Sequence, residues 1–64
     1  MVKINGEETN AAGMTVAQYL AGADYDTARV VVELNGRILP KAQYSQTVLA
    51  DGDTAEIVSF VGGG

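Results

Sequence analysis

The chain contains no cysteine, no histidine and no tryptophan, and it has one proline and one phenylalanine in 64 residues. Without thiol or imidazole groups there can be no disulfide staple, thiolate or imidazole metal site, Cys nucleophile or Ser-His-Asp triad. Basic charge is also scarce: four Lys and Arg stand against eight Asp and Glu, a net charge of −4. That balance opposes binding to nucleic acid or to an anionic membrane, and suits a partner with a basic face. No run approaches the ~20 apolar residues of a membrane span, and the first residues lack the apolar stretch of a signal peptide, so a cytoplasmic location is expected. The G-x-x-x-x-G-K-[ST] pattern that cradles nucleotide phosphates is missing as well. A chain this short forms one domain, and burying only about 60 % of its unfolded surface leaves little depth for a catalytic cleft. A hydrophobic fraction of 47 % nevertheless marks it as folded rather than disordered.

What is present is concentrated at the far end, Phe60-Val61-Gly62-Gly63-Gly64. Glycine has no Cβ and is free in φ, so such a tract can lie extended in a channel too narrow for side chains. Three glycines reach at most about 10 Å. The tail ends in an α-carboxylate, ionised at neutral pH, which is the one group here with evident chemistry. The competing reading is a frayed terminus or a cloning linker. Phe60 and Val61 stand next to the tail and are candidates for anchoring it apolarly to a partner; Phe60 could equally be the last core residue of a final strand.

Along the chain, Val2-Lys3-Ile4 alternates ahead of Asn5-Gly6, the residue pair of a type I′ hairpin turn. Glu7-Glu8-Thr9 reads as the returning strand, polar enough for an edge. Thr15-Val16-Ala17-Gln18 fits a capping box that starts a short helix, with Met14 and Tyr19 at the two positions of a hydrophobic staple. Val16, Leu20 and Ala23 recur at helical spacing, and Gly22 reads as the helix stop. A polar connection over 24–27 leads to Ala28-Arg29-Val30-Val31-Val32-Glu33-Leu34, a strand with Val30, Val32 and Leu34 facing the core. Val31 would then point outward, as ordinary surface or as part of a contact patch. Asn35-Gly36 makes a second hairpin turn, and Pro40 ends the returning Arg37-Ile38-Leu39. Residues 41–46 read as a turn or short helical segment with Tyr44 inward. Asp51-Gly52-Asp53 is a turn, too sparse in ligands for calcium or magnesium. A last strand over 54–61 places Ala55 and Ile57 on one face, and Glu56, Val58 and Phe60 on the other.

The order hairpin, helix, hairpin, connection, strand predicts an α+β layer, with one short helix on one face of a mixed sheet of four to five strands. If the first and last strands are parallel neighbours, this is the β-grasp, or ubiquitin-like, fold. It would comprise residues 1–61, with 62–64 a flexible glycine tail.

Several residues together resemble the ThiS family, the sulfur carriers of thiamine biosynthesis. They are Asn35-Gly36, Ile38-Leu39-Pro40-Lys41, Gln43, Leu49, Asp51-Gly52-Asp53, Glu56-Ile57-Val58 and the closing Val61-Gly62-Gly63-Gly64, with Thr15-Val16 and Leu20 at the helix. The resemblance spans nearly the whole chain. It implies a carrier rather than an enzyme, with no catalytic residue and no metal or cofactor of its own. Gly64 would be adenylated by a ubiquitin-activating-like adenylyltransferase that holds the ATP, with Gly62 and Gly63 entering that partner's active site and Phe60 and Val61 binding it. A sulfur donor protein would supply the sulfur for a thiocarboxylate, and thiazole synthase would receive it. The small subunit of molybdopterin synthase, a conjugated ubiquitin-like modifier and a plain interaction module are the alternatives; the first is usually longer.

Overall fold

Both Asn-Gly pairs make the turns their chemistry requires. Asn5 and Gly6 have φ of 50° and 83°, and Asn35 and Gly36 have φ of 51° and 84°, two positive values in succession as in type I′ turns. The first turn joins β1 (Val2–Ile4) to β2 (Glu7–Thr9) and the second joins β3 (Val30–Leu34) to β4 (Arg37–Leu39). A computed structural model supplies these coordinates and describes residues 1–60. The last strand, β5 (Thr54–Ser59), lies between the two hairpins in a five-stranded sheet of order β2-β1-β5-β3-β4. It runs parallel to β1, with Lys3 opposite Thr54, and antiparallel to β3, with Val32 opposite Ile57. With one helix on one face, this is the β-grasp arrangement.

Helix α1 (Val16–Gly22) begins with the full capping box. The Gln18 N–H donates to the Thr15 hydroxyl (3.1 Å), and the Thr15 N–H donates to the Gln18 side chain (2.9 Å). Two turns cannot stand alone in water, and packing holds this helix. Leu20, fully buried, shares one core with Val2, Ile4, Val30, Val32 and Ile57, to which Val16, Leu49 and Tyr44 also belong. Burying the Leu20 side chain contributes roughly 1.5–3 kcal/mol. Tyr44 also serves the sheet: the Val32 N–H, on the β4 side of β3, donates to its hydroxyl (3.2 Å) beside the point where Pro40 ends β4. Every buried side-chain polar atom among the described residues has a partner.

Several expectations are corrected. Gly22 does not stop the helix; it is the last helical residue, and the left-handed turn falls on Asp24, with φ of 64°. The N–H groups of Asp24 and Tyr25 bond back to the carbonyls of Ala21 (3.5 Å) and Leu20 (3.0 Å), the paired bonds of a Schellman ending. Ala23 is therefore an exposed cap residue and not part of the buried stripe. The third strand starts at Val30 and not Ala28. The Asp26 carboxylate accepts from the Ala28 N–H (3.0 Å) and winds Thr27–Arg29 into a 3-10 turn. Among the described residues β5 ends at Ser59, although the Phe60 N–H still donates to the Arg29 carbonyl (2.7 Å). Leu34 faces the core side but is only half-buried. Lys41–Gln43 is a 3-10 turn, as one of the two readings had it.

Candidate functional site: the end of the central strand and the open sheet face

Since β5 is the middle strand, the chain leaves the sheet from its best-supported position. Phe60 is its last described residue; Val61, Gly62, Gly63 and Gly64 lie outside the described residues. Phe60 is 55 % exposed, so it is not part of the core, and one of its two readings is thereby removed.

The helix covers the sheet face that carries Val2, Ile4, Val30, Val32, Ala55 and Ile57. Alternation puts Val31, Glu33, Glu56 and Val58 on the opposite face, and the register pairs Val31 with Val58 and Glu33 with Glu56. Ile38, opposite Glu33 on β4, shares that face and is 71 % exposed, while Val58 is 53 % exposed. Phe60 follows two residues after Val58 on the same side. Among the described residues nothing covers the apolar side chains of Val31, Val58 and Phe60 on this face, and Ile38 joins them diagonally past Val31, with Glu33 and Glu56 in its own row. A patch of this kind beside a chain exit is suited to docking on another protein.

The charge around the exit departs from the acidic whole. β3 runs antiparallel to β5, so the residues just before β3 and just after β4 lie at the same end as Phe60. Arg29 and Lys41 stand there, and the Lys41 ammonium donates to the Ala28 carbonyl (2.8 Å), which ties the end of β4 to the 3-10 turn. Arg29 approaches Asp26 (3.6 Å), but both side chains are mostly exposed and the pair contributes little.

The other end of β5 holds a polar cleft of about 340 Å³, lined by Met1, Lys3, Glu8, Asp51, Asp53 and Thr54. The Met1 ammonium pairs with Asp51 across it. Six residues of strand separate the cleft from the exit, about 20 Å. Among the described residues no group of three or more His, Cys, Asp or Glu is placed to hold a metal ion, and no helix is long and apolar enough to cross a membrane.

The ThiS family profile matches residues 2–64. The chain belongs to the ThiS family. The sulfur carrier protein ThiS of Bacillus subtilis is 36 % identical to it over 66 aligned positions that cover the whole of both chains. The crystal structure of a thiamine biosynthesis protein (ThiS) from Geobacter metallireducens superposes with a TM-score of 0.79 at 33 % identity, covering 98 % of this chain and 97 % of the other. A thiazole synthase of Paramagnetospirillum magneticum is 50 % identical over 62 residues, but this ThiS-family chain spans only 19 % of that protein's length.

Alternation alone sets Val58 and Phe60 on the outer side of the last strand and allows Val31 to be ordinary surface or contact patch, without joining them. Ile38 was only part of a returning strand. The signal was available in the alternation together with the cross-strand register, but register depends on which strand lies between which, and no local pattern states that.

Proposed function

We propose that the chain is a sulfur carrier whose working group is the Gly64 α-carboxylate. Membership of the ThiS family over residues 2–64, tail included, is the observation that carries this reading. A carboxylate is a poor electrophile. Attack of its oxygen on the α-phosphorus of ATP releases pyrophosphate and leaves an acyl adenylate, from which a sulfur nucleophile displaces AMP. This domain has no phosphate cradle, so the nucleotide sits on a ubiquitin-activating-like partner. The partner engages the open patch through Phe60, Val58 and Ile38, binds Val61 where the tail begins, and takes Gly62 and Gly63 into a narrow channel. A sulfur donor protein supplies the nucleophile, and thiazole synthase accepts the sulfur from the thiocarboxylate. The thiazole synthase relative, in which one stretch is half identical to this chain, supports that pairing of carrier and acceptor.

The experiment is ATP–pyrophosphate exchange with the cognate activating enzyme, followed by intact-mass analysis for the gain that replaces oxygen by sulfur. Removing Gly64 shortens the reach by about 3.5 Å, several times the ~1 Å misplacement that can cost a hundredfold in rate. Gly63→Val keeps the length but adds a branched side chain and restricts φ. Both variants should unfold at the parent midpoint and lose exchange. Normal exchange and sulfur transfer by both would overturn the carrier reading.

A further inference from the structure

The two strands beside β5 differ in how far they accompany it. On the β3 side the ladder is complete: alternate residues of β5 bond to β3, and the Phe60 N–H continues the pattern to the Arg29 carbonyl (2.7 Å). The residues between them, Ala55, Ile57 and Ser59, aim their N–H and C=O groups the other way, toward the lane of β1. β1 is only three residues long. The Asn5 N–H donates to the Ala55 carbonyl (3.0 Å), and there the backbone of β1 turns away into the hairpin. The Asn5 side chain then takes the place of one more strand residue. Its Oδ1 accepts from the Ile57 N–H (2.7 Å), and its Nδ2 donates to the Ile57 carbonyl (3.4 Å). Next in line is Ser59, which is exposed, and its backbone N–H and C=O have no partner among the described residues.

The sheet therefore holds an open lane beside the final stretch of its central strand, closed behind by Asn5. We infer that an extended segment of the activating partner adds to β5 in this lane, pairing backbone to backbone at Ser59. Three considerations select this occupant. A glycine tail has no side chains to read, so its recognition must run through backbone groups, and strand addition is the mode that supplies them. Ser59 lies five residues before Gly64, at most about 17 Å of chain, so a segment paired at Ser59 is within reach of the group the partner must activate. The same strand carries Val58 and Phe60 on the uncovered face, so edge and face form one continuous contact. The inference rests on the carrier reading for the identity of the partner.

Ser59→Pro tests it. The Ser59 N–H faces away from β3, so proline deletes the donor without breaking a ladder bond, in the one setting where strands tolerate it. Ser59→Ala keeps the N–H and removes only the hydroxyl. With the cognate activating enzyme, Ser59→Pro should bind on the order of tenfold more weakly, since the partner's carbonyl loses its donor at a desolvated site. Ser59→Ala should bind as the parent does. Parent-like binding by Ser59→Pro, or equal weakening by Ser59→Ala, would overturn the inference. Amide hydrogen exchange on the unmodified protein covers the case in which the proline variant fails to fold: the Ser59 amide should exchange markedly more slowly in the complex, and unchanged exchange would also overturn it. Loss of activation on deleting Gly64 combined with normal binding by Ser59→Pro would leave the carrier reading standing and remove strand addition alone.

Discussion

Asp24 occupies a position made for glycine, and replacing it should stabilise the protein. Its φ of 64° is left-handed, a region that costs an ordinary L-residue roughly 1–2 kcal/mol and an aspartate somewhat less. Its carboxylate also follows directly on a helix C-terminus, where the carbonyl ends disfavour negative charge by about 0.3–1 kcal/mol. Asp24 is exposed and no ion pair compensates it among the described residues. Asp24→Gly removes both penalties and incurs the extra unfolded-state entropy of glycine, roughly 0.5–1 kcal/mol. The net gain should be about 1 kcal/mol, or a rise in Tm of about 4–8 °C for a domain of this size. Asp24→Asn separates the contributions, because it removes the charge and keeps the left-handed tolerance; its gain should be a few tenths of a kcal/mol. Urea titration of the three proteins, with a common slope, gives the comparison. If Asp24→Gly were no more stable than the parent, or Asp24→Asn matched it, backbone strain at the helix end would be the wrong account.

Leu20→Ala should cost about 2–5 kcal/mol in the same titration, much of the stability of so small a domain, and a loss below about half a kcal/mol would contradict its central place in the core. Phe60→Ala and Ile38→Thr should leave stability within about half a kcal/mol of the parent, since both side chains are exposed and threonine suits a strand, while lowering affinity for the activating enzyme; unchanged affinity in both would remove the patch from the interface. Burial pushes the Tyr19 phenol above its ordinary pKa, helped by Tyr25 and Glu7. The folded state thus favours the neutral phenol, so this contribution is intact below pH 10 and is lost as pH rises through the higher folded-state value. Tyr19→Phe should flatten the alkaline fall in stability seen by circular dichroism, and an identical fall would show that Tyr19 does not contribute to it.

The order of elements, with the first and last strands as parallel neighbours, was legible as a β-grasp, and so was the local detail. The capping box, both type I′ turns and the alternation in the strands each lie within a few residues, and each has the expected form. The roles of the turn asparagines beyond their turns were not legible. Asn5 braces Ile57, 52 residues away, and Asn35 both accepts from the Thr54 N–H (2.9 Å) and donates to Asp53 (3.0 Å). A turn residue chosen for its φ is also chosen here for an amide that grips the central strand, and only the fold reveals the second reason. The helix end misled for a related cause: Gly22 was the conspicuous residue, but the helix ran to the point where Tyr25 could pack on the core, which left the left-handed position to Asp24. Val61 to Gly64 remain as the sequence alone presents them.

That β5 is both last and central has a consequence for how the protein is made. During synthesis the two hairpins can form as soon as they emerge, since each is local, but an isolated two-stranded hairpin is marginal in water. No backbone ladder joins them until Thr54–Ser59 has appeared, because β5 lies between them in the sheet, and its register with β1 brings together Lys3 and Thr54 from opposite ends of the chain. Contacts of such separation make folding slower than in a helical domain and concentrate it in one late step. A nascent or truncated chain lacking this strand would display two unattached ribbons and no tail, so a glycine tail carried on a formed sheet certifies to any enzyme that binds both that translation has passed Ser59.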